Sequence, residues 1–255
     1  MRLDLFLIEN GFVQSRAKGQ NLIKEGHVFV NGKLMTKAST EVDEKDEIKI
    51  EGNDNYVSRG AYKLLGGKEY FDLDFRDKVV LDMGSSTGGF TQVVLENGAK
   101  KVYSVDVGQS QLAQVIKEDK RVISLENTDV RILTKENVGD VDMVVGDLSF
   151  VSLTKILPHI KEILGNCEMC LLFKPQFECG LSLAKKHKGI IKDEKLHVSL
   201  LESFANFLKS LGFSFDGLAP SPIKGGDGNR EYLVHSNGKN KPFSIKEIVT
   251  ENFKK

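Results

Sequence analysis

Leu81-Asp82-Met83-Gly84-Ser85-Ser86-Thr87-Gly88-Gly89-Phe90-Thr91-Gln92 is the stretch on which the fold turns. Lys78 to Asp82 is a short apolar strand and Phe90 to Glu96 reads as a helix, so strand, glycine loop and helix follow one another. Ligands of open α/β sheets bind beyond the carboxyl ends of the strands, which is where Asp82 falls. Gly84, Gly88 and Gly89 permit tight turns and close backbone approach. A dinucleotide site prefers G-x-G-x-x-G, whereas this loop is G-x-x-x-G-G, and the Gly-Lys-Ser/Thr of a phosphate loop is absent. A carboxylate set right before the loop argues against pyrophosphate and for a ligand with positive groups. S-adenosylmethionine, with an ammonium and a sulfonium, is such a ligand.

Outward from the loop, Lys101 to Asp106, Val122 to Leu125, Val141 to Gly146 and Met169 to Phe173 read as further strands. Helical segments lie between them, among them Gln111 to Lys117. This alternation predicts an α/β fold, a Rossmann-like, mostly parallel sheet with helices on both faces. Asp106 ends the second strand, where a carboxylate accepts both ribose hydroxyls of a nucleoside, and Asp129 follows the third, in place for an adenine amino group. With Asp82, Gly84, Ser86, Gly88, Gly89, Phe90 and Asp147 they form the expected cofactor set. The competing reading is a purely structural strand-turn-helix.

The rest of the chain is organised around this domain. Residues 1–52 read as a small α+β unit: a helix from Leu3 ended by Asn10-Gly11, then Arg16 to Lys24 capped by Ser15 and followed by Gly26. Val28-Phe29-Val30 enters an Asn31-Gly32 hairpin, and Glu47 to Ile50 is a further strand. Residues 53–58 make a linker, adjoining the polar run Glu51 to Asn55. The strand-helix domain then spans 59–238, and 239–255 forms a tail with a short helix, capped by Ser244 and Glu247.

Lys and Arg number 36, as do Asp and Glu, so a polyanionic partner must be met by local clustering rather than by net charge. Asp4 and Glu9 interrupt the first apolar stretch, against a secretory signal, and no run approaches the ~18 apolar residues of a spanning helix. Cys167, Cys170 and Cys179 offer no disulfide framework, and no metal site is expected. The reading is a cytoplasmic protein without stable membrane association.

Five segments are similar to a known family. The glycine loop resembles that of the FtsJ-like ribose methyltransferases. Val57-Ser58-Arg59-Gly60-Ala61-Tyr62-Lys63, Asp147-Leu148-Ser149-Phe150, Lys174-Pro175-Gln176-Phe177-Glu178 and Gly228-Asn229-Arg230-Glu231-Tyr232 resemble the TlyA family, long labelled haemolysin A. The resemblance implies an RNA-binding module of the ribosomal protein S-four type joined to an enzyme that methylates the 2′-hydroxyl of cytidine in ribosomal RNA. It also implies a catalytic tetrad of Lys63, Asp147, Lys174 and Glu231. A ribose hydroxyl is a weak nucleophile, so Lys174 is read as the base, Lys63 as a neighbouring cation, and the carboxylates as their orienting partners. Singly, each has a structural alternative: Lys63 a surface lysine, Glu231 the border of an edge strand.

RNA contacts are expected from Arg2, Arg16, Lys18, Lys24, Lys33 and Lys37 in the N-terminal unit, and from Arg59 ahead of the tetrad. Lys185, Lys186, Lys188 and Lys192 form a second basic cluster. The start at Met1-Arg2-Leu3-Asp4, without an added basic arm, points to large-subunit RNA. Two other functions compete: a non-catalytic RNA-binding assembly factor, against which the intact loop and tetrad speak, and a membrane-active haemolysin.

Overall fold

Leu3, Phe6 and Leu7 recur at helical spacing and are buried together, which makes α1 (Leu3–Glu9) one wall of a small core. The computed structural model describes residues 1–13, 16–24, 26–50, 56–238 and 242–254, apart from the side chains of residues 17, 18, 21 and 24. Contacts divide the chain into two units, Met1–Tyr56 and Val57–Lys255. In the first, α2 (Arg16–Lys24) packs on α1, and β1 (Val28–Val30), β2 (Lys33–Met35) and β3 (Ile48–Ile50) form an antiparallel sheet in the order β2-β1-β3. Asn31 takes a φ of 51° and Gly32 one of 75°, the positive angles expected of the hairpin. The expected Ser15 cap, the side chains of Lys18 and Lys24, and the polar run 51–55 lie outside the described residues.

The second unit runs α3 (Gly60–Phe71), β4 (Val79–Met83), α4 (Gly89–Glu96), β5 (Lys101–Val105), α5 (Gln114–Lys117), β6 (Val122–Leu125) and α6 (Lys135–Val138). It continues with β7 (Met143–Gly146), α7 (Leu157–Leu164), β8 (Glu168–Phe173), α8 (Pro175–Glu178), α9 (Gly180–Lys186) and α10 (Glu194–Ser210). Strands β9 (Gly217–Pro220) and β10 (Tyr232–Ser236) and helix α11 (Ile245–Lys254) complete it. The sheet order is β6-β5-β4-β7-β8-β10-β9, parallel from β6 to β8 and antiparallel around β10. Strand order reverses between β4 and β7, the place where such sheets bind ligands.

The structure departs from expectation in four places. The helix expected from Gln111 begins only at Gln114, because Glu126 accepts both the Gln111 and Leu112 amides and holds them in a loop. The strand expected from Val141 begins at Met143, since Asp142 is engaged side-on, its carboxylate accepting from the Val79 amide. Strand β10 is interior to the sheet, not at its edge. Helix α10, capped by Asp193, runs for 17 residues and buries His197, Leu201, Phe204 and Leu208 against the sheet; no strand-helix alternation announced it. Helix α11 packs on α10 through buried Ile248 and Val249. No described helix is long and apolar enough to cross a membrane.

Candidate active site

Four titratable side chains far apart in sequence meet at the carboxyl edge of the sheet. Tyr232 of β10 pairs with Phe173 of β8, so the residues one step further, Glu231 and Lys174, face each other across antiparallel strands. Asp147 leaves β7 on the neighbouring strand, and Lys63 comes from the first turn of α3. Lys63 Nζ donates to Asp147 Oδ2 at 3.2 Å and to Glu231 Oε2 at 2.9 Å. Lys174 Nζ lies 2.6 Å from Asp147 Oδ1 as an ion pair without hydrogen-bond alignment, and donates to Ser149 Oγ at 2.9 Å. Gln176 Nε2 donates to Glu231 Oε1 at 3.1 Å. The structure thus brings together all four members of the expected tetrad.

Burial decides how these charges behave. Lys63, Lys174 and Glu231 are 8%, 6% and 3% exposed. Desolvation works against the Lys63 ammonium, but Asp147 and Glu231 outweigh it and hold the pKa above the ordinary lysine range. Burial likewise opposes the Asp147 carboxylate, and Lys174 and Lys63 outweigh it and keep it below the usual range. Two ammonium groups and two carboxylates therefore compensate one another in a nearly closed cluster.

The glycine loop lies against this cluster. The Asp147 amide donates to Met83 O at 3.1 Å, and a Cβ on Gly84, where φ is 79°, would sit 3.1 Å from Asp147 O. Gly84 is required because the loop passes this close to the strand bearing the tetrad. Gly88 and Gly89 serve packing as much as any ligand: Cβ atoms there would fall 2.9 Å from Leu112 Cδ1 and 2.3 Å from Ser58 Oγ. Phe90 is buried in α4.

Asp82 is wholly buried; Thr91 donates to its Oδ2 at 2.6 Å while Oδ1 has no partner. Burial, with the nearby Asp147 and Asp106 charges, pushes Asp82 up to about 7 against the opposing Thr91 bond. Asp106 accepts the Ser86 amide at 2.8 Å and the Gly108 amide at 2.7 Å, which fixes its carboxylate at the end of β5. Asp129 is held by Arg131, whose guanidinium is 2.5 Å away and keeps the carboxyl below its ordinary range. The expected adenine acceptor is thus already bonded to a neighbour.

Residues outside the expected set also shape the site. Ser149 and Gln176 orient tetrad members, and both lie inside motifs quoted above. Glu178, at the end of α8, accepts from Ser152 Oγ at 2.5 Å and from the Leu153 amide at 2.8 Å, tying α8 to the loop that follows Asp147. Phe150 is 91% exposed with a φ of 62°, its ring 5.2 Å from that of Phe177. Such backbone strain at a bulky exposed side chain is the kind that gathers at functional sites.

His197 is buried: its Nε2 donates to Ile191 O at 3.1 Å and its Nδ1 accepts from the Tyr232 hydroxyl at 2.8 Å. Burial takes its pKa down to about 4, so it is a neutral strut beneath the site. Burial pushes the Cys167 thiol up to about 11 and Cys170 higher still, as befits inert core thiols. Among the described residues no three His, Cys, Asp or Glu side chains are grouped to hold a metal.

Within the first unit, Arg2 and Arg16 converge on Asp4, each at 2.9 Å, and Gln20 adds a third donor at 2.7 Å. Both arginines keep about half their side-chain surface exposed, 43% and 51%. Lys33 is exposed on β2, while Arg59 directly precedes α3 with its Nε buried and unbonded. Lys185, Lys186, Lys188 and Lys192 are all exposed.

Comparison with known proteins bears on this geometry. The FtsJ-like methyltransferase family matches residues 56–238 and the S4 domain residues 1–48. Hemolysin A of Brachyspira hyodysenteriae is 40% identical over 238 residues, covering 92% of this chain and 99% of its own. The 16S/23S rRNA (cytidine-2′-O)-methyltransferase TlyA of Mycobacterium tuberculosis is 37% identical over 237 residues, 91% of this chain and 88% of that one. A solved structure named as a hemolysin from Streptococcus thermophilus superposes with a TM-score of 0.77 at 36% identity, covering 100% of this chain and 96% of that one. With its S4 domain, its glycine loop and its methyltransferase sheet, the chain belongs to the TlyA group of the FtsJ-like methyltransferase family.

Proposed function

We propose that this chain methylates the 2′-hydroxyl of cytidine in ribosomal RNA, in the cytoplasm and without a metal, with Lys174 as the base. The observation that carries the reading is the closed cluster of Lys63, Asp147, Lys174 and Glu231 beside the glycine loop and the mutually repelling carboxylates Asp82 and Asp106.

The residues fit S-adenosylmethionine. Asp82 has a buried oxygen without a partner, and Asp106 and Asp147 add negative charge close enough to disfavour its ionisation. A cationic ligand relieves that repulsion, whereas a phosphate would aggravate it. Asp82 and the Gly84–Gly89 turn would hold the amino-acid end, with Asp106 at the ribose and Asp129 near the base. Val107, 68% exposed directly after Asp106, offers an apolar face there. When bound, the cofactor supplies a methyl group made electrophilic by its sulfonium.

The chain's own residues then position the hydroxyl and receive its proton. Lys63 is held by two carboxylates and stays charged, a fixed cation beside the acceptor. Lys174 has only the shared Asp147 and the neutral Ser149, so of the two lysines it is the one less tied up by carboxylates. The ribose proton passes to its Nζ, and Asp147 orients that nitrogen. Phe150 presents an open ring at the mouth of the site, a stacking surface for an unpaired base. Arg2, Arg16, Lys18, Lys24 and Lys33 of the N-terminal unit, and Arg59 ahead of α3, are the residues we assign to RNA phosphates.

Mass spectrometry of both ribosomal RNAs from cells with and without the gene tests the activity, and we expect the lost methyl on large-subunit RNA. Single-turnover methyl transfer tests the base. Lys174→Ala should lose about a thousandfold or more, in the range of general-base catalysis, with little change in cofactor affinity. Lys174→Arg should fail too, since guanidinium does not release a proton near neutral pH. A Lys174→Arg enzyme with a normal rate and pH profile would make Lys174 a positioning residue only.

A further inference from the structure

The carboxyl edge of the sheet carries its functional groups in strand order: Asp82 after the bulk of β4, Asp147 after β7, Lys174 after β8 and Glu231 before β10. The row does not stop there. Pro220 of β9 pairs with Tyr232, and the Ser221 amide donates to Glu231 O at 2.9 Å, so the segment leaving β9 begins one strand beyond the tetrad. Between this segment and α3 lies a cleft of about 430 Å³, bounded by Tyr70, Pro222, Ile223, Lys224, Arg230 and Glu231. Its size falls within the roughly 300–1,000 Å³ of ordinary ligand sites. Gly66 lets the two walls approach, since a Cβ there would lie 2.9 Å from Pro222 Cγ.

The chemistry of the lining selects an occupant. Lys224 is exposed and makes no ion pair among the described residues, and Arg230 adds a second cation. Glu231 is the lining's carboxylate, and its two oxygens are taken by Lys63 and Gln176. Tyr70 is an aromatic ring 53% exposed, and Pro222 and Ile223 are its apolar neighbours in the lining. A positive rim, an aromatic face and apolar walls suit a ligand with a phosphate and a planar ring. The cofactor is excluded by place, because Asp82 and Asp106 lie at the ends of β4 and β5, across the tetrad's strands from β9.

We infer that this cleft receives a nucleotide flanking the methylated one, its phosphate on Lys224 and Arg230 and its base on Tyr70. The inference rests on the RNA-methylating reading above and gives that site a second subsite along the same strand. It makes Tyr70 and Lys224 residues of substrate specificity, with no part in the chemical step.

The test uses the full chain and a short labelled RNA centred on the methylated cytidine. Binding is read by fluorescence anisotropy, and methyl transfer is read separately. Tyr70→Ala and Lys224→Ala, both at exposed positions, should each weaken RNA binding and raise the KM for RNA about tenfold, with kcat and cofactor affinity unchanged. An abasic scan sharpens the outcome: removing the base at one flanking position should weaken wild-type binding about as much as Tyr70→Ala does, and should cost the Tyr70→Ala protein nothing further. Wild-type affinity and KM in both variants, or equal abasic penalties in wild type and Tyr70→Ala, overturn the subsite. Wild-type protein that binds the RNA without transferring a methyl overturns the catalytic reading instead, and the anisotropy still decides the cleft.

Discussion

Asp82 should make cofactor affinity depend on pH, and the structure sets the size of the effect. Its carboxyl is pushed from an ordinary 3.8 up to about 7 by burial and by the charges of Asp147 and Asp106. In the free protein it therefore carries a proton below about pH 7. A bound ammonium beside the unpartnered Oδ1 favours the ionised form, so the proton must leave on binding. Affinity then rises with pH through the acid range and levels off above about 7, by up to tenfold, or about 1.4 kcal/mol, per unit. A ligand that restores only two units still yields about a hundredfold between pH 5 and 7. Stability of the ligand-free protein runs the other way. A carboxyl whose folded pKa is raised stabilises below its unfolded value, and that contribution is lost as pH climbs from about 4 through 7. Asp82→Asn should accordingly flatten the affinity profile, weaken binding at pH 7.5, and raise the melting temperature of the free protein there. Isothermal calorimetry in two buffers of different ionisation heat measures the affinity and the released proton together. An affinity that is level from pH 5 to 7.5, with no proton released, would refute the placement of the cofactor's cation at Asp82.

Glu178→Ala removes the acceptor for Ser152 and Leu153, and should cut methyl transfer ten- to a hundredfold with unchanged cofactor affinity, while Glu178→Gln, which keeps an acceptor for the Leu153 amide, recovers most of the rate; equal loss in both would mean that the charge and not the bond matters. Asp4→Ala should loosen the N-terminal unit, seen as faster amide exchange in α1 and α2, and in the wild type the same loosening should set in as acid protonates Asp4, whose carboxyl is held well below its usual range chiefly by Arg2. Arg16→Ala with Lys18→Ala should weaken RNA binding and flatten its salt dependence by about 0.7–0.9 in log–log slope per lost contact; an unchanged slope would leave those side chains without a phosphate.

Strands β4, β5 and β7 were legible because they are buried on both faces almost throughout and read as apolar runs ending in Asp82, Asp106 and Gly146. Strand β9 was not, since Gly217-Leu218-Ala219-Pro220 has neither length nor alternation and exists because β10 lies beside it. Helix α10 shows the reverse failure, for its buried face begins at a histidine whose apolar surroundings only the fold supplies. At the site, residue types and order marked Lys63, Asp147, Lys174 and Glu231, but not what each touches. Register could not reveal that Glu231 faces Lys174, because β10 arrives antiparallel after an excursion through α10 and β9. Gly88 and Gly89 show a limit of motif reading, as their missing side chains make room for Leu112 and Ser58 as well as for a loop.

The tetrad is costly as a stabilising device, because burying ammonium and carboxylate groups forfeits hydration that their pairing barely restores. Apolar side chains at the same edge would serve stability at least as well. What the four groups provide is an imbalance within a neutral cluster. Lys63 is bound by a carboxylate on either side, Asp147 is shared, and Lys174 is left with half of one carboxylate and a serine hydroxyl. Nothing in the intrinsic chemistry of two lysines distinguishes them, so any difference between them must come from their partners, and Glu231 is the partner that Lys63 has and Lys174 lacks. Glu231 enters on β10, on the far side of β8, and its Oε2 bonds Lys63. Gln176, a neutral donor from α8, takes its other oxygen. The amide at Gln176 thus keeps the cluster neutral: a lysine or arginine in its place would bring a third cation, and an alanine would leave Glu231 Oε1 without that donor.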